Sequence, residues 1–138
     1  VKMKGYVDNK YIPSILSHSS LNLLNYSGKD YNWSRGNSSN KLFEYLASGK
    51  PVKKKKKMGY GIIERYNCGM SVERTTPEEI AEKIRTIKEL SSDTYADLCK
   101  NARKAVEEFD IPNLSDKYIA EIERIIIKFN SKKRKGDK

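Results

Sequence analysis

Residues 36–52 combine a polar turn, a short amphipathic helix and the start of a strand. Asn37 or Ser38 can cap the helix, because their side chains accept hydrogen bonds from backbone N–H groups of the first turn. The apolar positions follow the spacing of a buried helical stripe: Leu42, Phe43, Leu46 and Ala47. Gly49 is suited to the position after the helix, and Pro51 prevents the helix from continuing. This order favours an α/β fold.

The polar face of the same helix carries Lys41 and Glu44, three residues apart. A lysine in the first turn lies at the unfavourable end of the helix dipole, at a cost of a few tenths of a kcal/mol to roughly 1 kcal/mol. An anion bound in front of the helix would remove that cost, and free backbone N–H groups there suit a phosphate. Alternatively, Lys41 pairs with Glu44 on a solvated face. The residues alone leave both interpretations open.

The rest of the first two thirds of the chain alternates between short strands and short helices. We predict strands over 1–7, 20–26 and 68–72, and helices over 11–17 and 62–66. The run 20–26 has too many apolar positions for a one-sided sheet, so we expect it to be covered on both faces. Tyr31 and Trp33 lie in a polar loop that follows this strand, where open α/β sheets bind ligands.

Three helices are predicted for the remainder of the chain. Thr76-Pro77-Glu78-Glu79 is a capping box with proline at the first helical position. The three core stripes predicted from helical spacing are Ile80, Ile84 and Ile87; then Tyr95, Leu98, Ala102, Ala105, Val106 and Phe109; then Tyr118, Ile122, Ile125, Ile126 and Phe129. Ser115 is the expected cap of the last helix. We expect one compact unit over residues 1–130 and a basic disordered tail over 131–138.

Five consecutive lysines, Lys53–Lys57, follow Pro51-Val52. Because a buried unpaired ammonium costs several kcal/mol, we expect these lysines in an exposed loop or at a solvated sheet edge. They and the tail account for nearly all of the net charge of +10, and the rest of the chain is close to neutral. One function compatible with this pattern is a polyanion-binding module for nucleic acid or acidic lipid.

Other residue types exclude several kinds of site. His18 is the only histidine, so a histidine triad or a multi-histidine metal site is excluded, and we predict no metal and no cofactor. Cys68 and Cys99 are interpreted as core residues. No apolar run reaches the ~18 residues that a membrane span needs, and the N-terminus has no signal peptide, so a cytoplasmic location is expected.

Glu44 followed by Ala47-Ser48-Gly49-Lys50-Pro51-Val52 resembles the donor-binding signature of the group 1 family of GT-B-fold glycosyltransferases. The resemblance implies a Rossmann-like parallel sheet flanked by helices, part of a GT-B C-terminal domain with a helical C-terminal end. It also implies that Glu44 hydrogen-bonds the ribose hydroxyls of a nucleotide-sugar. The donor-binding residues implied are Gly36, Asn37, Ser38, Ser39, Asn40, Lys41 and Glu44. Gly36 stands where many members have a second glutamate that contacts the sugar.

The resemblance spans residues 1–129 and corresponds to the later part of a donor domain. It implies a truncated, retaining and metal-independent glycosyltransferase, with no catalytic residue assigned in this chain and no activity of this fragment alone. The implied partners are a nucleotide-sugar donor and a sugar or lipid-linked acceptor held by a missing N-terminal domain, without specific nucleic acid. Polysaccharide biosynthesis at the inner face of a membrane, with peripheral membrane association, fits this interpretation. A third alternative is an inactive α/β interaction domain.

Overall fold

Three parallel strands form a sheet in which the middle strand of the sequence is also the middle strand in space. The computed structural model describes residues 2–25, 39–55, 61–73 and 76–136, with the backbone alone for Lys55 and 132–136. Within these ranges the strands are β1 (Asn22–Leu24), β2 (Val52–Lys55) and β3 (Gly69–Val72), in the order β1-β2-β3. Val52 is in register with Asn22 on one side and with Gly69 on the other. β2 is therefore hydrogen-bonded along both edges.

Helices connect and cover these strands, and longer helices follow them. They are α1 (Ile12–Ser17), α2 (Asn40–Ala47), α3 (Ile62–Tyr66), α4 (Pro77–Lys88), α5 (Ser92–Glu107) and α6 (Ile111–Gly136). The α/β class expected from the sequence is thus confirmed at the level of a three-stranded parallel sheet packed against helices, with long C-terminal helices. The chain divides into two compact units, Val1–Val106 and Glu107–Lys138, where the sequence predicts one unit over 1–130.

The strands predicted from the sequence are only partly correct. The predicted strand over 1–7 is wrong, because residues 2–8 have no regular structure and a 3-10 turn over Asn9–Tyr11 leads into α1. β1 lies inside the predicted strand 20–26 and is an edge strand; Leu23 is 43% exposed between the buried Asn22 and Leu24, so one face lacks the expected cover. Segments 62–66 and 68–72 form α3 and β3 as predicted.

The turn between α2 and β2 has the geometry expected from its glycine and proline. Gly49 has a φ of +66°, in the left-handed region that favours glycine, and Pro51 is buried directly before β2. Arg103 of α5 donates a hydrogen bond from Nη1 to the carbonyl oxygen of Ala47 at 2.5 Å. This bond occupies one of the carbonyl groups that the end of α2 leaves without a helical partner.

α2 is also attached to β1. Asn22 is buried, and its Nδ2 donates to Ser48 Oγ at 3.0 Å and to the carbonyl oxygen of Tyr45 at 3.4 Å. Leu42 and Leu46 are buried as predicted, whereas Ala47 is exposed and Phe43 is half-buried. The hydrogen bonds to Asn22 and the two buried leucines fix which side of α2 faces the sheet.

The apolar stripes predicted for the C-terminal helices are only partly buried. Thr76 caps α4 by accepting a hydrogen bond from the backbone N–H of Glu79 at 3.2 Å, as the capping box predicts. Ile87, Leu98, Ala102 and Ala105 are buried, but Ile84 is 41% exposed. α6 begins at Ile111 rather than after Ser115.

The last helix departs furthest from expectation. The five apolar side chains predicted to point inward from α6 are more than half exposed. The backbone of 131–136, predicted as the start of a disordered tail, is helical.

Gly69 is the tightest backbone contact in the sheet. A Cβ at this position would collide with the carbonyl oxygen of Val52 and would lie 2.7 Å from its nitrogen. We predict that Gly69→Ala lowers the free energy of unfolding by about 3 kcal/mol or more, because β2 and β3 must separate to admit the methyl group. Urea denaturation measures this loss.

Gly49→Ala is the matched control for this substitution. Its new methyl group would meet the flexible side chain of Arg103 at 3.2 Å and the carbonyl oxygen of Cys99 at an ordinary 3.9 Å, and its positive φ costs about 1 kcal/mol. Equal losses for the two variants would contradict the assigned role of Gly69.

Candidate functional site

Glu44 lies at a cavity between α1 and α2. The cavity has a volume of about 480 Å³, which falls within the range of roughly 300–1,000 Å³ that is usual for small-molecule sites. Its walls include Ile12, Pro13 and Leu16 from α1, and Glu44, Ala47 and Ser48 from the α2 side. The α1 side thus combines these apolar side chains with the polar Asn9 and Ser17, and the α2 side presents a carboxylate and a hydroxyl group.

The carboxylate of Glu44 is available to a ligand. Its residue is exposed, and within the described part of the chain its carboxylate makes no hydrogen bond or ion pair. The alternative in which Lys41 pairs with Glu44 is therefore not observed. A free carboxylate can accept two hydrogen bonds from neighbouring hydroxyl groups, as in a vicinal diol.

The start of α2 differs from the predicted caps. Ser39 is the N-cap residue, with φ −65° and ψ 130°, and Asn40 is the first helical residue. The helix therefore begins later than a cap at Asn37 or Ser38 predicts; both of these residues, like Gly36, lie outside the described residues. Asn40 and Lys41 are exposed in the first turn.

The cavity does not include the first turn of α2. Its lining residues on this helix and the turn after it are Glu44, Ala47 and Ser48, so Ser39, Asn40 and Lys41 lie nearer the other end of the helix. Of the four implied donor-binding residues that the structure describes, Ser39, Asn40, Lys41 and Glu44, only Glu44 lines the cavity.

The lysine run lies partly inside the sheet, which overturns the expected exposed loop or solvated edge. Lys53 and Lys54 belong to β2 and are only 1% and 2% exposed. Because β2 pairs on both edges, its side chains project into the layers of side chains above and below the sheet rather than along an open edge. Lys55 continues the strand, and Lys56 and Lys57 lie outside the described residues.

Lys54 has an ion-pair partner that the sequence analysis did not identify. Its Nζ lies 3.0 Å from Oε2 of Glu64 on α3, and Ser71 Oγ donates a hydrogen bond to Oε1 of the same carboxylate. A Cβ on Gly61 would collide with the Glu64 carboxylate and would lie 3.2 Å from Lys54 Nζ. The glycine therefore leaves room for the ion pair.

The environment of Glu64 keeps its carboxyl group ionised. Burial alone would raise the pKa of Glu64, but the hydrogen bonds from Ser71 and Lys54 outweigh that effect and hold the pKa below its ordinary value. Nearby Cys68 is fully buried, and its burial raises the pKa of the thiol to about 12. Cys68 is thus a core residue, as predicted, and not a thiolate nucleophile.

Lys53 points to the opposite face of the sheet from Lys54, because successive strand residues alternate. Its Nζ is buried and has no hydrogen-bond partner among the described residues. Burial lowers the pKa of Lys53, and the carboxylate of Glu79 offsets part of this shift. The two neighbouring lysines therefore differ: one is compensated by an ion pair and the other lacks a hydrogen-bonded partner.

These positions bear on the polyanion-binding alternative. A site for nucleic acid or acidic lipid needs ammonium groups at the surface. Lys53 and Lys54 are buried, and Lys54 is already paired with Glu64. The structure therefore removes two of the five lysines on which that alternative depends.

The described residues show neither a metal cluster nor a membrane-spanning helix. Across 2–25, 39–55, 61–73 and 76–136, no group of three or more histidine, cysteine or acidic residues is arranged to hold a metal ion. In the same ranges, none of the helices has the length and apolar character needed to cross a membrane.

Comparison with known proteins adds no relative: no family model matches the chain, and no curated protein matches it.

Lys53 provides a test of the buried ammonium. We predict that Lys53→Met raises the free energy of unfolding by about 1 kcal/mol, because an apolar side chain of similar length replaces a buried charge without a hydrogen-bond partner. Lys100→Met is the control; Lys100 is exposed on α5, so the change should stay within about 0.5 kcal/mol. Thermal or urea unfolding measures both, and a destabilised Lys53→Met would contradict the unpaired state.

Glu64 provides a test of the ion pair through pH. We predict that Glu64→Gln lowers the free energy of unfolding by about 2 kcal/mol at pH 7, less than for a fully buried pair because Glu64 is 43% exposed. Since the folded pKa of Glu64 is depressed, its contribution is complete above the ordinary value of 4.5 and is lost as the pH falls through the lower folded value. Urea unfolding of both proteins from pH 7 down to pH 3 should therefore show converging stabilities, and a constant difference would argue against the assignment.

Proposed function

We propose that this chain supplies the donor-binding part of a retaining glycosyltransferase of the GT-B type, in which a nucleotide-sugar binds against α2. The observation that carries the proposal is the free carboxylate of Glu44 at a cavity of about 480 Å³. The signature residues Ala47-Ser48-Gly49-Lys50-Pro51-Val52 form the end of α2, the left-handed turn and the start of β2. The Rossmann-like and GT-B assignments are part of this proposal.

The topology supports ligand binding at the first turn of α2, which lies at the end of the helix away from the cavity. α2 follows β1 in the chain, and β1 and β2 are adjacent parallel strands. In open α/β sheets, ligands bind beyond the carboxyl ends of the strands, where the connections to the following helices begin. The connection from β1 to α2 contains Gly36, Asn37 and Ser38, and it ends at the N-cap Ser39.

Each part of α2 has a different role in the proposal. The backbone N–H groups that open the helix at Ser39 and Asn40 would face the diphosphate, and Lys41 would add positive charge there. Glu44, one turn further along, would accept hydrogen bonds from the ribose hydroxyls. The apolar side chains of Ile12 and Leu16 give the cavity a surface for a flat nucleobase.

In the intact enzyme, these groups would act by positioning and by electrostatics. The protein would hold donor and acceptor together and would stabilise the negative charge that develops on the departing nucleoside diphosphate. No described residue is assigned to the chemical step itself. We assign this chain donor binding and leave the acceptor to the rest of the enzyme.

Glu44→Gln tests the proposal directly. The substitution keeps the size of the side chain but replaces one acceptor oxygen and removes the charge, so we predict at least tenfold weaker binding of the donor, or about 1.4 kcal/mol. Isothermal titration calorimetry with UDP, GDP and their sugar conjugates measures the affinities of the wild-type and variant chains.

The control for this experiment is Glu78→Gln. Glu78 is an exposed carboxylate in the first turn of α4, so its substitution should leave the affinity unchanged. Glu64 is unsuitable as a reference because it holds Lys54 in the sheet. Equal losses for Glu44→Gln and Glu78→Gln, or no binding of any of these nucleotides by the wild-type chain, would reject the proposed site.

A further inference from the structure

α6 carries a wide apolar stripe that stays exposed. The side chains that form it are between 52% and 70% exposed: Tyr118, Ile119, Ile122, Ile125, Ile126 and Phe129. At about 100° per residue they span an arc of about 120°, which is the width of face that a helix of a globular protein normally buries. A contiguous apolar surface of this kind marks an interaction site.

The spacing of the stripe indicates that its partner is another helix. Tyr118, Ile122, Ile125 and Phe129 are separated by four, three and four residues. This is the 3.5-residue repeat of helices that pack along their length. α6 has 26 residues, so it is about 39 Å long, and the stripe occupies its central part, residues 118–129.

The charges around the stripe indicate which helix fits it. Within α6, residues 111–123 contain three acidic residues and one basic residue, whereas residues 124–136 contain six basic residues and no acidic residue. Two copies of α6 side by side in the same direction would place acidic next to acidic and basic next to basic. Two copies in opposite directions would place each acidic half beside the basic half of the other.

We infer that α6 pairs in antiparallel orientation with α6 of a second copy of this chain. The centre of the stripe lies between residues 123 and 124, so Ile122 of one copy packs against Ile125 of the other. Ile119 and Ile126 widen the contact on one side. This inference is independent of the proposed nucleotide site, because it uses only residues of the second unit.

One flank of the stripe gives the pairing a specific charge contact. Glu121 and Lys128 are seven residues apart, so they lie on the same side of α6. In the antiparallel pair, Glu121 of each copy lies about 3 Å along the axis from Lys128 of the other. Glu121 also accepts hydrogen bonds from Arg124 of its own helix at 2.6 and 2.9 Å.

The apolar contact is tested with the full chain by analytical ultracentrifugation over a range of concentrations from low micromolar upward. We expect a reversible monomer–dimer equilibrium that Ile122→Asp shifts to the monomer. Ile127→Asp is the matched control, because Ile127 is 69% exposed but lies on the opposite side of α6. Circular dichroism confirms that both variants keep their helix content.

Two outcomes of this experiment would overturn the inference. A wild-type chain that stays monomeric at every concentration would assign the stripe to a different partner. Equal effects of Ile122→Asp and Ile127→Asp would show that association does not use the stripe.

The orientation is tested by charge reversal. Glu121→Lys and Lys128→Glu should each weaken the dimer about tenfold or more, because each creates two like-charge contacts in an antiparallel pair. Mixing the two variants should restore association, since both contacts in the mixed dimer then join opposite charges. A parallel pair does not bring these two positions together, so a mixture no tighter than the separate variants would overturn the antiparallel arrangement.

Discussion

The ion pair between Lys54 and Glu64 is the interaction on which the sheet depends. β2 is the central strand, and both β1 and β3 pair with it. The side chain of Lys54 projects from one face of this central strand toward α3 and is only 2% exposed, so forming the sheet takes its charge out of water. Glu64 supplies the opposite charge at 3.0 Å, and Ser71 and Gly61 orient that carboxylate and leave space for it. The lysine-rich strand β2, which its composition alone would assign to the surface, can thus occupy the centre of the sheet.

The ion pair compensates the buried positive charge on one face of the sheet only. Lys53 is directed to the other face, where its ammonium group is buried and donates no hydrogen bond to any described residue. The carboxylate of Glu79 at the start of α4 attracts it from a distance, but burial has the larger effect on its pKa. The protein therefore carries a destabilising charge beside a stabilising pair, in consecutive residues of one strand.

The position of the candidate site follows from how α2 is attached to this sheet. Asn22 on β1 and Arg103 on α5 bond to the C-terminal end of α2 and the turn after it, and Leu42 and Leu46 bury one side of the helix. Glu44 lies on the remaining surface, next to α1 and the cavity. The packing of α2 thus leaves the carboxylate of Glu44 on the surface. The first turn of α2 is also exposed, at the end of the helix away from the cavity. α6 presents a different kind of surface, apolar and flanked by charges.

The sequence by itself determined the local elements wherever a short-range signal decides the backbone. Pro51 and Gly49 set the end of α2, Thr76 and Pro77 set the start of α4, and the segments 62–66 and 68–72 form a helix and a strand as predicted. The exposed Glu44 on its helix was also found this way, since helical spacing separates it from the buried leucines. These features depend on dihedral preferences and on neighbours within one or two turns.

Only the tertiary structure decided which of these elements are covered and by what. The burial of Lys53 and Lys54 depends on strands that pair with β2 from distant parts of the chain, and the partner of Lys54 is ten residues away on α3. In the same way, periodicity showed that α6 has an apolar face, but not that this face remains exposed. Periodicity reports which side chains share a face, whereas burial depends on the long-range packing that places a neighbour against it.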